Sequence, residues 1–343
     1  MSKSEEKLPK QKIICQNHHV ITLLLITIAI PLSMSMWIIN LVYSKLLSNS
    51  EGLDEPMVIS PARWLASCII PIPVAYYGYR RKSVNLGGAL LGTVVAFILT
   101  LSNYCFLADL LVFFLSSSKA TRFRPHLKRK IEEGFKEGGQ RNWVQVLCNG
   151  GMATQLALLH LLDVGASERP IDFVRDYRSS WLSIGVLGVF ACGNGDTWAS
   201  ELGTVLSKSD PFLITSWRKV PKGTNGGISL MGTLSSTVGG LLIGLSHYLT
   251  ILYFSERALL MYAPPQWPII LYGALAGFLG SLIDSILGAT LQYSGLDSDG
   301  KIVSHSSATV KHISGKNILD NHSVNLLSTI IMGLLMPTIV KHF

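Results

Sequence analysis

The segment LGGALLGTVVAFILTLSNYCFLADLLVFFLSS, residues 86–117, decides how many times this chain crosses a membrane. It is too long for one ordinary span of about 20 residues. Ser102-Asn103 interrupts it, so it reads as two short helices or a re-entrant pair. Loop charge arbitrates between them. Ser116–Arg141 carries Lys119, Arg122, Arg124, Lys128, Arg129, Lys130, Lys136 and Arg141 against Glu132, Glu133 and Glu137, and Arg80-Arg81-Lys82 precedes the segment. These clusters and the Lys-rich N-terminus share the cytoplasmic side only if residues 86–117 cross twice. The acidic connection Ser48–Ala62, with Glu51, Asp54 and Glu55, then lies on the far side.

Further apolar runs near bilayer length occur at Val20–Tyr43, Pro61–Tyr79, Val144–Leu162, Trp181–Gly195, Ile228–Phe254, Pro268–Leu287 and Val324–Val340. The expected fold is therefore all-α: a polytopic membrane helix bundle of about nine transmembrane spans, with a cytoplasmic N-terminus. Residues 1–85 form a two-span N-terminal region and 86–343 a single membrane domain. Composition agrees, since hydrophobic residues make up 48% of the chain, charged residues 15%, and mean hydropathy is +0.39. A soluble domain carries about 25% charge.

The net charge of +8 is explained by basic cytoplasmic loops. Aromatics do not interleave with it, and no finger or helix-turn-helix spacing is present, so no nucleic-acid partner is expected. The five cysteines fall in or beside apolar spans without CxxC spacing, which argues for small buried hydrophobes. The apolar run after the N-terminus exceeds a signal-peptide core and lacks a small-x-small cleavage pattern, so it reads as an uncleaved span.

Three polar blocks interrupt this apolar background, and the topology places all of them at the cytoplasmic face. GNGDTWASELG at 193–203 holds Asp196 and Glu201, whose spacing of five does not share a helical face, so Gly193 and Gly195 are expected to unwind the segment. GSLIDSILGATLQ at 280–292 places Ser281, Asp284, Ser285, Gly288 and Gln292 on one stripe. A carboxylate at the centre of a membrane helix costs about 2.5–3.5 kcal/mol, so acids here call for a compensating role. With hydroxyls beside them, Asp196, Glu201 and Asp284 are candidate catalytic ligands for a hard metal cation. The third block, GTNGG at 223–227, follows Arg218, Lys219 and Lys222 and leads into a span. Thr224, Asn225, Gly226 and Gly227 are candidates to cradle phosphate, with Lys222 and Lys119 screening it. Asn149, Ser285 and Gln292 complete the candidate ligand-binding set. Gly232, Ser236, Gly240 and Gly244 recur every four residues, as do Gly273 and Gly277, and read as helix-packing seams. Asp109, inside the fourth span, is expected to complete a polar site or to partner a nearby base. No Walker A loop, Gly-x-Ser-x-Gly elbow or zinc signature occurs.

GDTWASELG at 195–203, VPKGTNGGIS at 220–229, GSLIDSILGATLQ at 280–292, FFLSSSKATR from Phe113 and Asp320-Asn321…Asn325 together resemble the transmembrane protein 19 branch of a widespread integral membrane family. The resemblance runs from about Leu86 to the C-terminus. Plant and cyanobacterial members of that family look like phytyl-phosphate kinases, so it implies an Mg²⁺-dependent kinase. Such an enzyme transfers phosphate from a nucleoside triphosphate (CTP or ATP) to an isoprenoid monophosphate in the lipid bilayer of the endoplasmic reticulum or another endomembrane. A transporter or flippase for an anionic lipid or metabolite is the alternative, because broken helices with polar groups also mark transporters. Polar blocks on one face favour the enzyme.

Overall fold

The computed structural model describes residues 28, 30–51, 58–129, 139–307 and 309–342. Residues 20–27 of the first expected span lie outside the described residues, as do 52–57 and 130–138 of two charged loops. The chain divides into two compact units, Met1–Tyr77 and Gly78–Phe343. In the first, α1 (Ile30–Glu51) and α2 (Pro61–Ile69) pack together. The Asn40 side chain accepts from the amide of Ile59 at 3.2 Å, and Ser60 caps α2. Helix α3 (Pro71–Arg80) runs across the boundary between the units.

The second unit is built on α4 (Leu86–Ser102), α5 (Tyr104–Thr121), a single turn α6 (Pro125–Lys128), α7 (Trp143–Asp163) and α8 (Tyr177–Trp198). It continues with α9 (Leu230–Phe254), a short α10 (Arg257–Tyr262), α11 (Pro268–Leu291) and α12 (Asn321–Val340). Helices α5, α9, α11 and α12 are long and apolar enough to cross a membrane. The protein is a mostly helical integral membrane protein.

Residues 86–117 resolve into α4 and α5, with Asn103 as the single residue between them. Asn103 is extended (φ −159°, ψ 133°), its side chain caps the amide of Cys105 at 2.7 Å, and its Nδ2 donates to the Ser167 carbonyl at 3.1 Å. The outer ends of the two helices meet. Arg141 donates its amide to the Ser83 carbonyl and its guanidinium to Ser118, while its carbonyl accepts from Asn85, the residue that caps α4. Helices of 17 and 18 residues span about 26 Å each, so the segment forms a helical hairpin.

Helix α8 is the centre of the unit, buried almost without interruption from Ser179 to Gly195. A helix apolar on all sides belongs in the interior, and small residues let its neighbours approach. A Cβ on Gly188 would lie 2.8 Å from the Met332 carbonyl of α12, and one on Gly195 would lie 2.7 Å from Gly277 of α11. Helices α9 and α11 cross on the two expected seams. A Cβ on Gly273 would meet the Gly240 carbonyl at 2.6 Å, and one on Gly277 the Ser236 carbonyl at 2.5 Å.

The all-α expectation needs one correction, because two small antiparallel sheets occupy loops. Strands β1 (Phe212–Leu213) and β2 (Gly227–Ile228) pair between α8 and α9. Strands β3 (Ser294–Leu296), β4 (Ile302–Val303) and β5 (Lys311–Ser314) form a sheet in the order β4-β3-β5 between α11 and α12. At two to four residues each, they are too short to print an alternating pattern in sequence.

Asp320 fixes the start of α12. Its Oδ1 accepts from the Ser323 hydroxyl at 2.6 Å and the Ser323 amide at 2.8 Å, and these bonds hold its carboxyl below the usual carboxylate range. A depressed pKa stabilises the fold above the unfolded value of about 3.9, and that contribution is lost as pH falls through the folded value. Asp320→Ala is expected to cost about 1 kcal/mol at neutral pH. The gap between the denaturation midpoints of the two proteins in detergent, measured downward from pH 7, should narrow as the pH falls below about 3.9.

Candidate functional site

The starts of α7, α9 and α12 and the ends of α8 and α11 surround one cavity of about 680 Å³ at a single end of the second unit. Asp196, Glu201, Asn149, Lys222, Thr224, Asn225, Gly226, Gly227, Asp284, Ser285 and Gln292 all line it. Lys119 does not, and its side chain is exposed elsewhere. Among the candidate Mg²⁺ ligands and phosphate- or ligand-binding residues, Lys119 is the one left outside.

The chain does not unwind at Gly193 and Gly195. Helix α8 runs on to Trp198 and widens into a π-helical turn at Ala199–Gly203. Gly195 serves packing instead, since α11 crosses α8 where Gly195 faces Gly277 and Gly280 faces Cys192, while a Cβ on Gly193 would meet only the Phe113 ring at an ordinary 3.4 Å. That close crossing brings Asp196 of α8 and Asp284 of α11 to the same cavity. The Asp284 Oδ2 accepts from Ser328 of α12 at 3.2 Å, whereas among the described residues Asp196 has no hydrogen-bond or ion-pair partner. Asp196 therefore presents to the cavity a carboxylate with no protein partner among the described residues.

The π turn carries Glu201 outward to a different partner. Lys128 of α6, with a side chain 2% exposed, donates to Glu201 Oε2 at 2.5 Å and to the carbonyls of Ala120 and Thr121 at 3.0 and 2.9 Å. All three protons of its ammonium are thereby satisfied. Extra helical turns of this kind recur at functional sites. Among the described residues no three His, Cys, Asp or Glu side chains are grouped closely enough to hold one metal ion. Arg141, buried beside this pair, has its pKa pushed down by burial to about 10 and stays charged at neutral pH.

The glycine turn departs from expectation. Helix α9 begins at Leu230 with Ser229 as its cap, so residues 223–227 precede the helix terminus and lead into β2. Gly226 has φ +77°, and a Cβ there would collide with Ala289 and lie 2.6 Å from the Ser285 carbonyl. Its glycine is demanded by contact with α11, so a Gly226→Val variant reports on packing before it reports on phosphate. Thr224 Oγ1 donates to the Pro221 carbonyl at 2.7 Å, and Asn225 Nδ2 to the Tyr293 carbonyl at 3.3 Å. Lys222 donates to the Ser207 carbonyl at 2.5 Å and faces the cavity.

Asp109 takes the second of its expected roles. It lies outside this cavity, buried, with His247 Nδ1 at 2.7 Å and Ser246 at 3.0 Å. Sequence reasoning did not single out Asn194, whose Oδ1 accepts from Ser116 and Ser117 at 2.8 Å each and whose Nδ2 donates to the Gly239 carbonyl at 2.8 Å. Its place between two glycines in the first polar block was the available signal. Lys128 and Arg141 were visible only as members of a basic loop.

The chain is 43% identical over 274 residues to Protein PGR of Arabidopsis thaliana, a match covering 80% of this chain and 94% of that protein. It is 28% identical over 276 residues to the uncharacterized membrane protein MJ0933 of Methanocaldococcus jannaschii, covering 80% and 92%. With Protein VTE6, chloroplastic, of Arabidopsis thaliana it shares 27% identity over 180 residues, or 52% of this chain and 47% of that protein. No solved structure matches it. The family model described as integral membrane protein DUF92 matches residues 69–333, and the chain belongs to that family.

Proposed function

We propose that this protein is a membrane-embedded phosphotransferase that moves phosphate from a nucleoside triphosphate to an isoprenoid monophosphate, as the family resemblance of its polar blocks implies. The observation that carries the reading is the placement of Asp196 and Asp284 on adjoining walls of one cavity. Its further lining includes the hydroxyls of Ser281 and Ser285, the amide of Gln292 and the ammonium of Lys222. This donor set suits Mg²⁺. The ion is commonly held by one or two carboxylates with substrate phosphates completing its shell, so a three-ligand protein cage is not needed. Asp196 and Asp284 would hold it, while Glu201 stays with Lys128. When bound, Mg²⁺ neutralises charge on the donor phosphates.

The remaining work falls to side chains that bind and orient. Lys222 and the 223–227 turn form the phosphate-facing floor. The acceptor phosphate already carries an ionised oxygen, so its attack needs no strong general base. The prenyl chain extends between helices into the bilayer. The reading includes the nine-span topology with a cytoplasmic N-terminus, the animal-type branch of the family, and an endomembrane location. Both carboxylate blocks at one end of the bundle favour an enzyme over a transporter with a midplane site.

Nucleotide binding to the purified chain in nanodiscs tests this reading. Binding of ATP or CTP that requires Mg²⁺ and is competed by a short prenyl diphosphate is expected. Absence of binding across all four nucleotides in folded protein would return the transporter to first place.

A further inference from the structure

Gln145 and Asn149 stand one turn apart on α7, and Asn321 and Asn325 one turn apart on α12. A spacing of four puts each pair on one helical face, and all four residues line the cavity. The two faces meet, with Asn325 Nδ2 donating to Asn149 Oδ1 at 3.3 Å. Asn149 is buried, Gln145 and Asn325 are half-buried, and Asn321 is exposed, so the amides form a ladder from the floor of the cavity to its mouth. At its inner end, Ser328 of α12 reaches Asp284, which joins the ladder to the carboxylates.

Each amide offers one carbonyl acceptor and two N–H donors. The Asn325–Asn149 bond uses one donor and one acceptor. Among the described residues, the side chains of Gln145 and Asn321 hydrogen-bond to no protein group, and His322 Nδ1, on the same wall, is buried without a partner. The four amides are uncharged and two-sided in their hydrogen bonding, and the Asp320 carboxylate lies beside them at the start of α12. The carbonyl acceptors of the wall and the Asp320 carboxylate have no use for phosphate, which offers only acceptors and negative charge. The wall suits an uncharged group that presents donors and acceptors side by side and is joined to phosphate.

We propose that this amide wall is the subsite for the base of the donor nucleotide. Planar amides pair in plane with base edges that carry adjacent donors and acceptors. The prenyl chain has no polar edge to offer, so the base is the part of the two substrates that matches. The assignment rests on the phosphotransfer reading and adds the origin of nucleotide choice.

The test is equilibrium binding, with Mg²⁺, of ATP, CTP, GTP, UTP and inorganic tripolyphosphate to the full chain in nanodiscs. One nucleotide should bind tighter than the others and tighter than tripolyphosphate. Gln145→Ala and Asn321→Ala remove amides with no partner among the described residues, so the fold should persist, as thermal melts can verify. Each should weaken the preferred nucleotide by about three- to tenfold and flatten the ranking, leaving tripolyphosphate unchanged. Tripolyphosphate binding as tightly as every nucleotide, or variants that keep the wild-type ranking, would overturn the subsite and leave the phosphotransfer reading standing. An equal loss for all four nucleotides would mean the wall reads the ribose, which also overturns the assignment to the base. If neither nucleotides nor tripolyphosphate bind the folded protein, both readings fall.

Discussion

Asp284→Asn and Asp196→Asn should each reduce phosphoryl transfer by at least about a thousandfold, a loss on the order of 4 kcal/mol of transition-state stabilisation. The two substitutions are not equivalent structurally. Asp284 accepts from Ser328, and an asparagine oxygen can accept in its place, so the fold should be kept. Asp196 has no partner to lose among the described residues, and a neutral amide is cheaper to keep in a membrane helix than a charge. Asp196→Asn is therefore expected to match or exceed the wild type in thermal stability while losing activity. The pairing of lost turnover with retained stability marks a functional acid. Wild-type turnover in either variant would remove that residue from the proposed Mg²⁺ shell, and a collapsed fold would make its role structural.

The second large effect belongs to Lys128. Its ammonium ties the carbonyl end of α5 to the π turn after α8, and its side chain is 2% exposed while that of Glu201 is 23% exposed. Removing one partner of a buried pair costs about 3–5 kcal/mol, and the partial exposure of Glu201 places Lys128→Ala near 3 kcal/mol. Glu201→Gln leaves the buried ammonium without its counter-charge and should cost a similar amount. A double-mutant cycle with Lys128→Met and Glu201→Gln, followed by denaturant titration in detergent, should recover more than 1 kcal/mol of coupling. Additive losses would show that the pair contributes no interaction of its own.

The parts of this molecule legible in sequence were those that a bilayer enforces. Residues 86–117 had to be divided because an apolar run of that length fits neither one span nor a loop, and the break fell at Asn103. The seams at Gly240–Gly244 and Gly273–Gly277 were legible because small residues every four positions have one common use in a helix. The convergence of Asp196, Asp284 and residues 222–227 followed from counting helix directions.

What sequence did not disclose depends on partners distant along the chain. Gly193 and Gly195 permit both a bend and a close approach, and only the presence of Gly277 opposite Gly195 selects the latter. Glu201 looked equivalent to Asp196 because nothing local reveals that Lys128, far back in a basic loop, reaches it. Gly226 matched a phosphate turn because a positive φ serves phosphate binding and tight packing alike. The amide ladder was hidden by its ordinary composition, since two pairs of Asn and Gln become a wall only when α7 and α12 lie side by side.

The central claim is that the Asp196–Asp284 cavity transfers phosphate between a nucleotide and a lipid phosphate. Its most direct test supplies purified protein in nanodiscs with γ-labelled nucleoside triphosphates, a short prenyl monophosphate and Mg²⁺, and measures prenyl diphosphate by mass spectrometry. Labelled diphosphate should accumulate with at least one nucleotide and vanish with EDTA or in Asp284→Asn. Folded wild-type protein that makes no diphosphate from any of the four nucleotides, or a product yield unchanged by EDTA and by Asp284→Asn, would contradict it.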